Sequence, residues 1–332
     1  MLAVSAAAAT GRAAADVTAA ETGTADAVTT EAQPLPRRTL GRTGETVTAL
    51  GLGGSHVINQ KQTAKQSQAI IEAGLAAGVR FFDTAVSYGK GKSEQRYGDF
   101  LTPKHRDQIY LMTKTGARNA KAAKRDLDGS RKRMGVDVID LWQMHSITDA
   151  EDVDGRIDEG VLDVFLEARA AGTVRHLGFT GHTTTAAFTR MFERLDALGI
   201  ELDALQMPMN VIDPGYESFI ERVLPVAVEK NYAVLAMKTL VHGRITGFDD
   251  GWRKDDVTNH RLVPGRVSLA EALGFVWSLP ISTLVSGMID PAMVTENAEL
   301  TRAFTPLSEA ERVELVERCA GEAGRSAEYY KA

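Results

Sequence analysis

From residue 38 onward, short apolar runs alternate with longer stretches whose apolar residues recur every three to four positions. The runs lie at 49–53, 79–84, 109–114, 136–145, 174–181, 205–210, 233–240 and 282–288. They are almost continuously apolar, the pattern of strands buried on both faces. The stretches at 64–77, 121–134, 161–171, 184–198, 216–230 and 268–278 carry the period of amphipathic helices. Gly78, Gly135 and Gly172 each stand just past a helix, where a left-handed closing residue is favoured. Ser308 and Glu311 form a capping box that opens a last helix. Residues 38–40, the turn Gly41-Arg42-Thr43-Gly44 and residues 46–50 predict a β-hairpin.

Eight strands alternating with helices predict a parallel sheet covered by helices. Polar residues close most of the runs: Asp83, Lys114, His145, Thr180, Asn210 and Lys238. An open doubly wound sheet would string these ends out in a row, whereas a closed barrel brings them to one mouth. The count of eight and the recurring polar ends favour an α/β fold with a single (β/α)8 TIM barrel over 36–332. The hairpin is expected to cap its bottom and the last helix to follow it.

Residues 1–35 depart from this pattern. They are rich in Ala and Thr and hold no aromatic residue, so they are expected to form a disordered tail. The apolar run 2–9 also fits the centre of a clipped export signal, although no basic residue precedes it. The expected location is cytoplasmic for the sequence as it stands, or exported by the twin-arginine route if the start is truncated. The 38 Lys and Arg against 44 Asp and Glu give a net charge of −6, which argues against nucleic acid as a partner. No apolar run approaches the roughly 18 residues of a membrane span. The single cysteine, Cys319, excludes an internal disulfide and a thiolate metal cluster. The sequence is silent on oligomeric state.

Gly51-Leu52-Gly53-Gly54 follows an early strand, but His56 stands where a dinucleotide-binding fingerprint needs its third glycine. The stronger constellation is spread over three strand ends. Asp83 ends the second strand and Tyr88 follows five residues later; Lys114 ends the third, and His145 ends the fourth. In a barrel these neighbours share one pocket. Asp83 would pair with Lys114, and the ammonium would lower the phenol of Tyr88 from its usual value near 10. Tyr88 so tuned could protonate a carbonyl oxygen, with a neutral His145 polarising the same group. No protein group donates hydride, so a nicotinamide would.

These residues resemble the aldo-keto reductase superfamily. Phe82-Asp83-Thr84-Ala85-x-x-Tyr88-Gly89 is similar to its strand-two motif. Leu127-x-x-Ser130-x-x-Arg133-Met134-Gly135-x-Asp137-x-Ile139-Asp140-Leu141, running on to His145, is similar to its strand-four motif. The resemblance implies NAD(P)H-linked reduction of aldehydes or ketones to alcohols, with Asp83, Tyr88, Lys114 and His145 as the catalytic tetrad. It implies NADP(H) extended across the barrel mouth. The cofactor contacts carried over are Gly53, Thr180, Gly181, Gln206, Met237, Lys238, Leu240, Gly287, Met288, Glu296 and Asn297. Gly181 replaces the usual asparagine. Gly287 and Met293 stand where Lys and Arg commonly clasp a 2′-phosphate, so NAD(H) is retained as a second expected cofactor.

His56, His182 and His242 follow strands and could line the same mouth, with His56 the first choice for substrate contact. Trp142 is expected in or near the pocket as a substrate contact, with core packing as its alternative. No metal is expected. Residues 249–256, around Trp252, suggest a solvated loop over the cofactor. Two other functions are carried forward: a nucleotide-binding regulatory barrel with slow turnover, and a lyase or isomerase using Lys114 as a Schiff-base amine.

Overall fold

The structure is a computed structural model that describes residues 33–58, 62–243, 245 and 266–331. The expected tail through residue 32 and the expected loop at 249–256 lie outside the described residues. Eight parallel strands close into a barrel in the order β10-β3-β4-β5-β6-β7-β8-β9. They are β3 (Leu50–Gly53), β4 (Phe81–Asp83), β5 (Tyr110–Thr115), β6 (Ile139–Ile147), β7 (Val174–Gly181), β8 (Ala204–Pro208), β9 (Ala233–Met237) and β10 (Thr283–Ser286). Helices occupy the intervals, among them Ala64–Ala76, Ala120–Met134, Val161–Ala170, Thr185–Leu198 and Leu269–Trp277. Gly78, Gly135 and Gly172 all take positive φ, and the Ser308–Glu311 capping box forms as expected.

The hairpin of β1 (Arg37–Thr39) and β2 (Thr46–Thr48) is antiparallel. Its Leu40 and Val47 join an interior cluster with Phe81, Tyr110, Met112, Leu141, Ala204, Ala233 and Leu235. The hairpin thus plugs the bottom of the barrel. Two details differ from the sequence pattern. The helix expected at 216–230 is broken into Phe219–Arg222 and Leu224–Glu229, because Pro225 has no N–H to continue the ladder. Leu35, placed in the tail, is 4% exposed in the core, so the packed chain begins before residue 36.

Alternation along each strand sorts two layers. Phe82, Leu111, Trp142, Met144, Leu177, Phe179 and Leu205 point outward to the helices and belong to the large core between barrel and helices. Trp142 is therefore not a pocket residue, which corrects the expected substrate contact. It sits one position from the inward-facing Leu141, is fully buried, and stacks on Phe165 with ring centroids 3.9 Å apart. Its Nε1 has no protein partner, so the ring alone matters. Trp142→Ala should lower unfolding free energy by about 3–5 kcal/mol, measured by urea denaturation. Trp142→Phe should recover most of that loss and leave substrate KM unchanged. A raised KM in the phenylalanine variant would return the residue to the pocket.

Candidate active site

The inward face of each strand turns from apolar to polar on the way up the barrel. Phe81 is followed two residues later by Asp83, Met112 by Lys114, Leu141 by Gln143 and then His145, and Ala204 by Gln206. The register places Asp83 beside Met112, and Lys114 beside Gln143. Lys114 thus stands one layer above the aspartate and can reach back to it across one strand spacing. Tyr88 is delivered by the loop after β4, whose Thr84 and Val86 amides donate to the carbonyls of Met112 and Lys114.

The Lys114 ammonium is 1% exposed and has three acceptors. It donates to Asp83 Oδ1 at 2.5 Å, to the Thr84 carbonyl at 3.0 Å and to Tyr88 Oη at 3.1 Å. An ammonium has three N–H bonds, so its donor capacity is complete. Burial alone would lower its pKa, but Asp83 and Tyr88 outweigh burial and hold it above 10.5. Lys114 is a fixed cation and not a free amine, which weighs against a Schiff-base role. The Tyr88 oxygen accepts from this cation, so its own hydrogen is available to the cavity. The lowered phenol expected from the sequence is not found. Burial pushes Tyr88 up, Lys114 offsets only part of that, and Asp83 adds to it. Tyr88 is therefore a neutral phenol with a cation in place for the charge it would acquire on giving up its proton.

His145 lies edge-on to the Tyr88 ring, with centroids 5.6 Å apart. Burial, then Lys114, push its imidazole well below 6.5, so it is neutral at physiological pH. Ser87 Oγ is 3.3 Å from its Nδ1. With that hydroxyl donating, Nε2 carries the ring hydrogen. A residue outside the sequence pattern sets the backbone here. Arg156, 2% exposed, donates Nη1 to the His145 carbonyl at 2.9 Å and Nη2 to the Ser146 carbonyl at 3.2 Å. Asp152 holds the guanidinium from the other side. The clamp sits where β6 loses register with β7 and Ser146 adopts φ 53°, a conformation that needs outside support. The only sequence signal is an Asp and an Arg four residues apart on the following helix.

Tyr88, Asp83 and His145 open into one cavity of about 790 Å³ across the barrel mouth. Of the expected cofactor contacts, Gly53, Gln206, Met237, Lys238, Leu240, Gly287, Met288, Glu296 and Asn297 line it; Thr180 and Gly181 do not. Thr180 lies below the surface, in register with Gln206. Gly181 faces the helices, where a Cβ would meet the Ile147 carbonyl at 2.7 Å and the Phe188 ring at 2.9 Å. An asparagine there would not fit. Asn297 also braces β10: its Oδ1 accepts from Ser286 Oγ and its Nδ2 donates to the Met293 carbonyl.

The best fit to a nicotinamide is Gln206. Its Nε2 donates to Asp83 Oδ2 at 2.9 Å, which fixes the amide because a carboxylate only accepts. Its Oε1 is buried with no protein partner and is placed to accept from a carboxamide N–H. His56 also lines the cavity, but its ring lies against Gly287, where a Cβ would be 2.2 Å from Nδ1. The strands before His56 and Gly287, β3 and β10, face β7 and β6 across the barrel. His56 is thus on the flank opposite His145, and its strand β3 is the neighbour of β4, which leads to Tyr88. Tyr329 and Tyr330 complete the wall and carry no motif in the sequence. Among the described residues, no group of three His, Cys, Asp or Glu could hold a metal, and no helix is long and apolar enough to cross a membrane.

His182 lies beside His145 at the neighbouring strand end. Burial, then Lys238, lower its pKa from 6.5 to about 4. Both imidazoles are neutral in the fold, so below pH 6.5 the unfolded chain takes up protons first. Stability should fall between pH 6.5 and 4, with His182 contributing no more than about 3 kcal/mol. Denaturant midpoints across that range should drop less steeply in His182→Phe. An identical slope would show that His182 is protonated in the fold.

Residues 49–313 match the family model described as the aldo/keto reductase family. The chain is 26% identical over 319 residues to D-threo-aldose 1-dehydrogenase of a Pseudomonas species, covering 79% of this chain and 92% of that one. It is 29% identical over 212 residues to aldo-keto reductase YhdN of Bacillus subtilis, covering 59% of each. A solved aldo-keto reductase of Bacillus halodurans in its holo form superposes with a TM-score of 0.70 at 21% identity, covering 89% of this chain and 99% of that one. The motifs on β4 and β6, the tetrad at one rim and the match over most of the barrel lead to one assignment: the chain belongs to the aldo/keto reductase family.

Proposed function

We propose that this protein reversibly reduces an aldehyde or ketone to an alcohol, with Tyr88 as the proton donor and NADP(H) or NAD(H) as the cofactor. The observation that carries this reading is the three-acceptor ammonium of Lys114, which directs the neutral Tyr88 hydroxyl at a cavity of about 790 Å³. When bound, the nicotinamide supplies the hydride. Gln206 Oε1 and the neighbouring Met237, both lining the cavity, would hold its ring. The substrate carbonyl oxygen lies between Tyr88 and His145, where His145 Nε2–H orients it and Tyr88 transfers its proton. Lys114 then faces a phenolate at hydrogen-bond distance, and Asp83 keeps that cation in place. Family membership supports the same chemistry. Among the described lining residues, the flank around Gly287 and Met293 carries Glu296 and no Lys or Arg, so both nucleotides are candidates.

Tyr88→Phe and Lys114→Met should each lower kcat for carbonyl reduction by about 10²–10⁴, while nucleotide binding persists in a fluorescence titration with NADPH and NADH. Because burial raises the phenol above 10.0, reduction should be flat through neutral pH. Alcohol oxidation needs the deprotonated phenol and should climb as pH rises. Full reduction by Tyr88→Phe would end the proposal. Tight nucleotide binding without turnover on aldehydes, ketones and sugars would favour a regulatory barrel instead.

A further inference from the structure

Beyond the reacting carbonyl, the substrate side of the cavity is walled by His182 and by residues 329 and 330 of the segment that follows the last helix. That segment is held with unusual completeness. Lys331 is buried and donates to Asp213 Oδ1 at 2.7 Å, Glu328 Oε2 at 2.8 Å and the Tyr216 carbonyl at 2.7 Å. Glu328 Oε1 accepts from Asn210 Nδ2 and from the Tyr330 hydroxyl, both at 2.9 Å. Asp213 in turn accepts from Ser218 and from the amides of Phe219 and Ile220. Fixed this way, the Tyr330 carbonyl lies 3.4 Å from His182 Nδ1. The Tyr330 hydroxyl is turned away to Glu328 and Asn210, so it offers the cavity a ring and not a polar group.

A carbonyl only accepts, so the bond from His182 Nδ1 requires the hydrogen on Nδ1. With the ring neutral, Nε2 is left as a lone-pair acceptor. His182 lines the cavity, and no protein hydrogen bond to its Nε2 is found among the described residues. Its place in the barrel says what it would meet. Gly181, the residue before it, is paired with Ile147, two residues past His145. His145 and His182 therefore stand side by side on adjacent strand ends. A carbonyl held by Tyr88 and His145 directs its nearest substituent toward His182.

We propose that His182 is a specificity-determining hydrogen-bond acceptor, and that the substrate carries a hydroxyl on the carbon next to its carbonyl. This rests on the carbonyl-reduction reading above and narrows it to hydroxyaldehydes and hydroxyketones. A substrate without that hydroxyl leaves the imidazole acceptor facing apolar surface. Lys238, His145 and His242 are the other basic groups around His182. The buried Lys331 cluster acts through Tyr330 and is a positioning device.

The test compares glycolaldehyde with acetaldehyde, and hydroxyacetone with acetone, in the wild type, His182→Phe, His182→Leu and His182→Gln. The readout is the ratio of kcat/KM for the hydroxylated over the plain member of each pair. General damage to the fold or the acid affects both members and cancels. In the phenylalanine and leucine variants the ratio should fall at least about tenfold, the effect of one lost hydrogen bond to a substrate hydroxyl. The loss should sit mainly in KM for the hydroxylated member. His182→Gln, whose amide oxygen can accept, should stay within about threefold of wild type, and NADPH affinity by fluorescence should not change. An unchanged ratio, or an equal loss on both members, would overturn the assignment of His182 and leave the reductase reading standing. No turnover of any of the four compounds by the wild type, with either nucleotide, would bring down the reductase reading and this inference with it.

Discussion

The site depends on one buried cation with no freedom left. Lys114 is inside the barrel, away from water, and its three N–H bonds meet Asp83, the Thr84 carbonyl and Tyr88. A buried ammonium without such partners would lose its proton. Here the carboxylate and phenol reverse that tendency. The same contact places the Tyr88 oxygen as an acceptor and so determines where its hydrogen points. The second oxygen of Asp83 holds Gln206, which carries the order across to β8. One interaction thus links the strand that leads to Tyr88 to the strand that carries Gln206.

The fold was legible because both of its periods are written in the chain. Most outward positions on β4 to β8 are apolar to pack against helices, with Thr113, Thr115 and Asp140 as polar exceptions, and inward positions are apolar only below the mouth. That change of character marks the C-terminal ends of the strands directly. The tetrad was legible for the same reason, since Asp83, Lys114 and His145 each occupy the first polar levels above the plug. A barrel mouth does not require the sequence to say which side chains meet, only at what height they stand.

What stayed hidden depends on which side of a strand or loop a residue faces. Trp142 lies three residues before His145, yet it points into the helix layer, and the aromatic type alone does not reveal that. His56 follows a strand just as His182 does, but β3 and β7 lie opposite each other in the closed barrel. Equivalent positions in sequence therefore reach opposite flanks of one cavity. Arg156 acts on the site through the backbone carbonyl of His145, and the segment carrying Tyr330 through its own carbonyl, which meets His182 Nδ1. In each contact one partner is a backbone carbonyl, which carries no residue-type signal. The helix break at Pro225, by contrast, follows from covalent chemistry and could have been read from the sequence.

The raised phenol of Tyr88 changes what the tetrad is suited to do. A tyrosine tuned down toward neutrality would serve as acid and base about equally. Burial keeps this one protonated, and the imidazole beside it is neutral rather than a competing cation. If Tyr88 is the proton donor proposed above, the phenol starts reduction in its stable form, and negative charge appears on it only as the carbonyl oxygen gains a proton. At that moment Lys114, 3.1 Å away, already faces the new charge without rearrangement. In the oxidising direction the phenolate must exist first, in a site whose burial disfavours it. Burial of the phenol and the fixed cation beside it therefore suit the reducing direction of the proposed reaction.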